Sequence, residues 1–330
     1  MFLYVQFPSW ISPYVIKGLP VRWYALMYIV AFLIAYILFN YQVRHDKHLE
    51  IEKNAVDDVF FWGIIGLLLG ARIGSCLFYN DAVYYLTHPW MIFWPFEGKH
   101  FVGLPGMSYH GGVIGLVLAV FIYAKKAKKS FLAIADYLAA AIPLGYAFGR
   151  LGNFINGELY GRVTTSKLGM IFPDATPFST TYSWVREIAD KLALGYSYGG
   201  YINLPRHPSQ LYELAGEGIL LFIILFFVIR PLKYKKNWAN GVVMAFYFIF
   251  YGIIRFIIEY FRQPDSDIGY VIALGKESNN IALFQSPLNI SKGQCFCFLM
   301  VIAGIAMLIV FAKMGNKDDR RESKRAKTRA

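Results

Sequence analysis

Apolar runs of roughly twenty residues alternate with short polar connections along almost the whole chain. Such runs match the ~20 residues that a helix needs to cross ~30 Å of hydrocarbon. They fall at 22–42, 57–79, 107–124, 131–149, 209–229, 241–262 and 295–313, the third and fourth being short and rich in Gly or Ala. The pattern predicts an all-α polytopic membrane protein with about seven transmembrane helices. Residues 150–208 break it with Pro, Gly, aromatic residues and weak alternation, as in "SYGGYINL". They predict a small folded head rather than a loose linker. The chain thus divides into helices one to four over 1–149, the head over 150–208, helices five to seven over 209–313 and a basic tail over 314–330.

Orientation follows from Lys and Arg in the short connections. The loop "KKAKKS" carries four, "RPLKYKK" four and the tail from Gly315 seven, whereas 80–106 has Lys99 alone and 263–294 has two. Alternate connections are basic, which predicts an N-terminus and head outside the cytoplasm and a cytoplasmic C-terminus. The tail lacks large apolar residues and predicts disorder near anionic lipid. The N-terminal residues lack a basic stretch, apolar core and small-residue cleavage site in that order, so the first helix is expected to stay in the mature protein.

Composition agrees: 57% of residues are hydrophobic and only 16% charged. The net charge of +12 sits in short runs between apolar segments with no nucleic-acid motif, so no nucleic-acid partner is expected. Cys76, Cys295 and Cys297 stand in apolar surroundings without a CxxC or Cys/His cluster. Neither a disulfide framework, a metal site nor a cofactor is expected.

Several ionisable residues fall within the predicted spans. Arg72 is in the second, Glu213 and Glu217 in the fifth and Arg255 and Glu259 in the sixth, with Arg150 at the mouth of the fourth. Each charge costs about 2.5–3.5 kcal/mol at a helix centre, so it must pair, face water or act on a ligand. Arg255 and Glu259 are four apart, where they can also simply neutralise each other. With the predicted topology, Arg72, Arg150, Arg255 and His110 share one depth near the outer face. A guanidinium fork suits phosphate, and the phosphate at that depth belongs to a phospholipid. Tyr251, Arg255 and Glu259 form an i, i+4, i+8 stripe that reads as a headgroup flank or as an interhelical seam. Tyr24 and Tyr28, also four apart, are undecided between site and interface belt. Glycines at 63, 66, 70 and 74 form a close-packing face, and those of "HGGVIG" fit the same role or leave room beside His110.

The stretch "GRLGNFINGELYG", Gly149 to Gly161, closely resembles the signature of bacterial prolipoprotein diacylglyceryl transferases, Gly-Arg-x-Gly-Asn-Phe-x-Asn-x-Glu-x-x-Gly. The resemblance extends through "WYALMY", "GARIG", "MSYHGG", "RHPSQLYE" and "YGIIRFIIEYFRQPD", in order, over most of 22–265. It implies transfer of the diacylglyceryl group of phosphatidylglycerol to the lipobox cysteine thiol of a prolipoprotein signal peptide, in the bacterial inner membrane. It also places the family's essential residues on His110, Arg150, Asn153, Tyr251, Arg255 and Tyr24, with Glu158 and Glu259 at further polar positions. The implied catalytic set is His110, Arg150, Arg255 and Tyr251. The implied substrate-binding set is Arg150, Asn153, Asn156, Glu158, Arg72, Tyr24 and Glu259. Thiolate chemistry agrees: His110 is placed as base or orienter and the arginines as holders of the leaving phosphate. The chain departs from the family in a longer stretch between "RQPD" and the last span, in "GQCFC", and in a long second-to-third connection. A transporter with an arginine-lined headgroup site is the alternative, though charges gathered toward one side and the lack of an internal repeat speak against it. An intramembrane protease lacks its motifs, and a plain scaffold leaves the arginines unexplained.

Overall fold

A computed structural model of the chain describes residues 3–16, 21–45, 51, 55–78, 80–104, 106–264, 269–275 and 280–329. The long helices are α1 (Trp23–His45), α2 (Ala55–Phe78), α4 (Tyr109–Lys126), α5 (Phe131–Ile155), α7 (Ser209–Lys235), α8 (Val242–Ile258) and α9 (Lys292–Arg329). Two short helices, α3 (Ala82–Thr87) and α6 (Ser183–Lys191), lie in the connections. Helices α1, α2, α5 and α7 and the Lys292–Lys313 part of α9 are each long and apolar enough to cross a membrane, and α8 is a shorter apolar helix. The protein is therefore an all-α, multi-pass membrane protein. The last helix departs from expectation: it does not give way to disorder near 313 but stays helical to Arg329. The tail is rich in Lys and Arg and has no proline, and these residues favour the helix.

The chain forms two compact units, one of Met1–Ile37 with Asp136–Ala330 and one of Leu38–Ala135. In the second, α2 and α4 pack along glycines. A Cβ on Gly115 would stand 2.1 Å from the Gly66 carbonyl oxygen, and one on Gly70 would stand 2.3 Å from that of Gly111. Ser108 caps α4, its hydroxyl accepting from the Gly111 amide at 3.1 Å.

In the first unit, α8 follows directly on Gly241, whose φ is +96°, and free amides at its start are capped from another helix. Asp136 on α5 accepts from the amides of Gly241 at 2.9 Å and Met244 at 2.8 Å, and its charge meets Lys233 at 3.2 Å. Residues 156–208 are folded rather than trailing. Short strands pair, β1 (Val5–Gln6) with β2 (Met170–Ile171) in parallel and β3 (Phe178–Ser179) with β4 (Tyr201–Ile202) antiparallel. Two small apolar clusters fill the segment, one around Val163, Val185 and Leu204 and one around Phe172.

Candidate active site

Helix α5 runs on to Ile155 before Gly157, at φ +67°, ends it, so Arg150 and Asn153 ride on its last turns. Helix α7 comes close to α5 at Gly218, where a Cβ would lie 2.5 Å from that of Ala147. It meets α8 at Gly216, where a Cβ would lie 2.8 Å from Ile254. Residues Leu214–Leu220 are wound wider, with i→i+5 bonding, and carry Glu217 in that turn. This crowding of three helices brings their charged side chains to one place.

Glu213 is its centre. Fully buried, it meets Arg262 at 2.6 Å and Arg255 at 3.0 Å through Oε1, and Arg150 at 2.7 Å through Oε2. Arg255 also reaches Glu217 at 3.2 Å and Glu259 at 2.9 Å. Arg262 lies 3.6 Å from Glu259, which accepts from the Ser291 hydroxyl at 3.1 Å. Three arginines thus face three carboxylates, and burial is tolerable because every charge is matched. The arginines nonetheless stay partly open, with 18% of the Arg150 side chain, 15% of Arg255 and 20% of Arg262 exposed while Glu213 has none. Open guanidinium edges backed by buried carboxylates suit an incoming anion.

The signature loop continues the network. Arg150 Nη1 donates to Asn153 Oδ1 at 3.3 Å, and Asn153 Nδ2 donates to Glu158 at 3.0 Å, as does Asn156 at 3.4 Å. The Glu158 carbonyl accepts from Gln210 at 2.5 Å and that of Leu159 from Ser209 at 3.0 Å, tying the loop to the start of α7. Tyr24 bonds Tyr28 at 2.9 Å and lies against Gly152 and Asn153. Tyr251 stacks on Tyr247 and stands edge-on to Tyr146, with centroids 5.6 Å and 6.5 Å away. The structure therefore brings together Arg150, Asn153, Asn156, Glu158, Tyr24, Tyr251, Arg255 and Glu259. It places Arg72 and His110 in the other unit. There the Arg72 Nε donates to the Ile92 carbonyl at 2.5 Å, and His110 lies exposed on the first turn of α4.

Residues 13–310 match the family model described as prolipoprotein diacylglyceryl transferase. The chain belongs to the prolipoprotein diacylglyceryl transferase family. It is similar to proteins named phosphatidylglycerol–prolipoprotein diacylglyceryl transferase from several bacteria. The Treponema denticola protein is 50% identical, covering 94% of this chain and 95% of its own. The Treponema pallidum protein is 44% identical over 98% and 99%, and the Chlorobaculum tepidum protein 41% over 92% and 90%.

In this prolipoprotein diacylglyceryl transferase family member, four residues of the cluster lie outside the site set that the sequence suggests. Glu213 and Glu217 stand out in the sequence only as charges within a span, and Arg262 and Tyr146 do not stand out. The usable signal was spacing: Tyr146 precedes Arg150 by four, and Arg262 follows Glu259 by three.

The chain entering α7 carries a testable electrostatic feature. His207 lies beside Tyr212 and Phe261, with its backbone paired to Gly161 and Arg162. Burial, and then the Arg162 charge, push its imidazole from near 6.5 down to about 4. The folded protein holds it neutral while the unfolded chain takes up a proton below pH ~6.5. Its contribution to stability is thus complete above that pH, erodes as pH falls toward about 4 and is constant below. Unfolding midpoints in detergent should fall more steeply between pH 7 and pH 4 for the natural protein than for His207→Gln; equal slopes would refute the assignment.

Proposed function

We propose that this chain transfers the diacylglyceryl group of phosphatidylglycerol to the thiol of the lipobox cysteine of a prolipoprotein signal peptide, the first step of lipoprotein maturation. The sulfur attacks the glycerol carbon that bears the phosphate ester, a thioether C–S bond forms, and the C–O bond breaks to release glycerol phosphate. The thiol proton passes to His110 as base and ends on the leaving phosphate or solvent. Arg150 and Arg255 hold the charge developing on that phosphate, with Tyr251 beside them. Asn153, Asn156 and Glu158 order the headgroup side, assisted by Tyr24, Glu259 and Arg72. Seven helices cross the bacterial inner membrane in this reading: the five longest, Tyr109–Lys126 and Val242–Ile258. The N-terminus and residues 150–208 face outward and the C-terminus lies in the cytoplasm. The basic connections support this orientation.

The observation that carries the reading is the sharing of Glu213 by Arg150 and Arg255, both with open edges, in a chain of this family. The test is mass spectrometry of lipobox peptides incubated with the purified protein and phosphatidylglycerol. A diacylglyceryl mass gain is expected on the cysteine peptide and none on its serine counterpart; no gain on either rejects transfer. Arg150→Ala should lower turnover by about 10²–10³-fold and His110→Ala by about 10²–10⁴-fold. Near-normal turnover in His110→Ala beside a dead Arg150→Ala would remove the histidine from the chemistry.

A further inference from the structure

Tyr146 sits one helical turn before Arg150 and is locked by three contacts. Its hydroxyl donates to Glu217 Oε2 at 2.5 Å and accepts from Arg150 Nε at 2.7 Å, and its ring lies 4.9 Å below the Arg150 guanidinium. The phenol has one proton. Arg255 at the other Glu217 oxygen, 3.2 Å away, favours the carboxylate, which can only accept. The direction of the chain of bonds is thereby set, and the phenol lone pair faces Arg150.

That choice decides how Arg150 lies. Its Nε carries a single N–H and stands 2.7 Å from both the Tyr146 hydroxyl and Glu213 Oε2. Tyr146 receives the proton, and among the described residues Glu213 Oε2 accepts no hydrogen bond. With Nε on Tyr146 and Nη1 on Asn153, the guanidinium plane is fixed, and Nη2 has no protein partner among the described residues. Glu217 therefore positions both arginines, Arg255 directly and Arg150 through the phenol.

We propose that Tyr146, held by Glu217, is a positioning residue for the anionic lipid headgroup: it takes the Nε–H of Arg150 that the adjacent Glu213 oxygen would otherwise accept, which fixes the guanidinium plane so that the remaining N–H groups of Arg150 and Arg255 address one phosphate. The identity of that phosphate rests on the transfer reading. Phenylalanine at 146 would keep the ring beneath the guanidinium and remove the hydroxyl, leaving Nε to turn onto the unbonded Glu213 oxygen.

The experiment uses the full chain in phosphatidylcholine nanodiscs. Calorimetry measures binding of short-chain phosphatidylglycerol, and turnover is followed with a lipobox peptide. Tyr146→Phe should weaken lipid binding about tenfold, as loss of one charge-assisted hydrogen bond implies. It should raise KM for the lipid in proportion while the peptide KM stays put. In an Arg150→Lys background, which has no Nε to orient, the same change should add less than about twofold. A merely structural role would lower the active fraction and move neither KM. Unchanged lipid binding, or an equal loss in both backgrounds, overturns the proposal, and so does a natural protein that binds no phosphatidylglycerol. Binding without transfer would reject the transfer reading alone, since the binding ratios still decide the part played by Tyr146. If Tyr146→Phe fails to fold, Glu217→Gln takes its place; because Glu217 also meets Arg255 directly, its lipid-side loss should shrink in the Arg150→Lys background without vanishing, and an equal loss in both backgrounds again overturns the proposal.

Discussion

Arg255→Ala is expected to destabilise the protein by about 3–5 kcal/mol, the usual cost of stripping one partner from a buried ion pair. It is also expected to reduce diacylglyceryl transfer by at least about 100-fold, as for removal of a preorganised charge holder. The carboxylates do not suffer equally. Glu213 keeps Arg150 and Arg262, and Glu259 keeps Arg262 and Ser291, but among the described residues Glu217 is left with the Tyr146 hydroxyl. The stability loss should therefore reside mainly in the stranded charge of Glu217. Arg255→Ala combined with Glu217→Gln should recover much of the stability, read by thermal unfolding in detergent, and little of the turnover. If turnover returned together with stability, Arg255 would be a structural counter-ion and the phosphate-holding role would fall.

Spans were legible because lipid enforces a simple rule: every backbone polar group must be paired within the segment, so a run of about twenty apolar residues can only be helix. All seven segments coincide with helices to within a few residues at their N-terminal ends. Of the other ends, those of α1, α4, α5, α7 and α9 lie beyond the predicted ones, because hydropathy falls before the helix does, whereas α8 ends at Ile258, ahead of the predicted 262. Helix α5 continues through "GRLGNFI" to a glycine able to take positive φ, and that places Arg150 and Asn153 three apart on one face.

The site was legible where it is local. Arg255 and Glu259 are neighbours by helical spacing, and the pair predicted from that spacing forms at 2.9 Å. Glu213 was not legible, because its partners Arg255 and Arg262 are 42 and 49 residues away and nothing in the period of α7 says which helix it will face. Tyr146 was hidden for another reason. In an apolar run a tyrosine reads as packing, and only the meeting of α5 with α7 shows its hydroxyl between an arginine and a carboxylate.

Gly115→Ala should destabilise the protein by about 1–3 kcal/mol, the cost of overpacking, and Gly115→Val by more. Gly112→Ala, three residues earlier on the same helix, should be neutral or slightly stabilising. Both substitutions gain helix propensity, of about 1 kcal/mol. They differ in what the new methyl meets. At Gly115 it would stand 2.1 Å from the Gly66 carbonyl oxygen and 2.8 Å from Gly70 Cα, backbone atoms that cannot turn away; at Gly112 it would stand 3.4 Å from Ala71 Cβ, an ordinary contact. Lipid offers α2 and α4 no hydrophobic drive to associate, so close backbone packing is what holds them. A methyl at 115 must force the helices apart along the whole row Gly66, Gly70, Gly111 and Gly115. Thermal unfolding of the two variants in one detergent measures the difference, and equal midpoints would show that the seam is not held by backbone contact. On the role proposed for His110, the consequence reaches the chemistry, since His110 directly precedes Gly111, whose own Cβ would lie 2.3 Å from the Gly70 carbonyl oxygen. The seam that sets the depth of α4 thus sets the placement of the imidazole, and Gly115→Ala should lower turnover in the protein that remains folded.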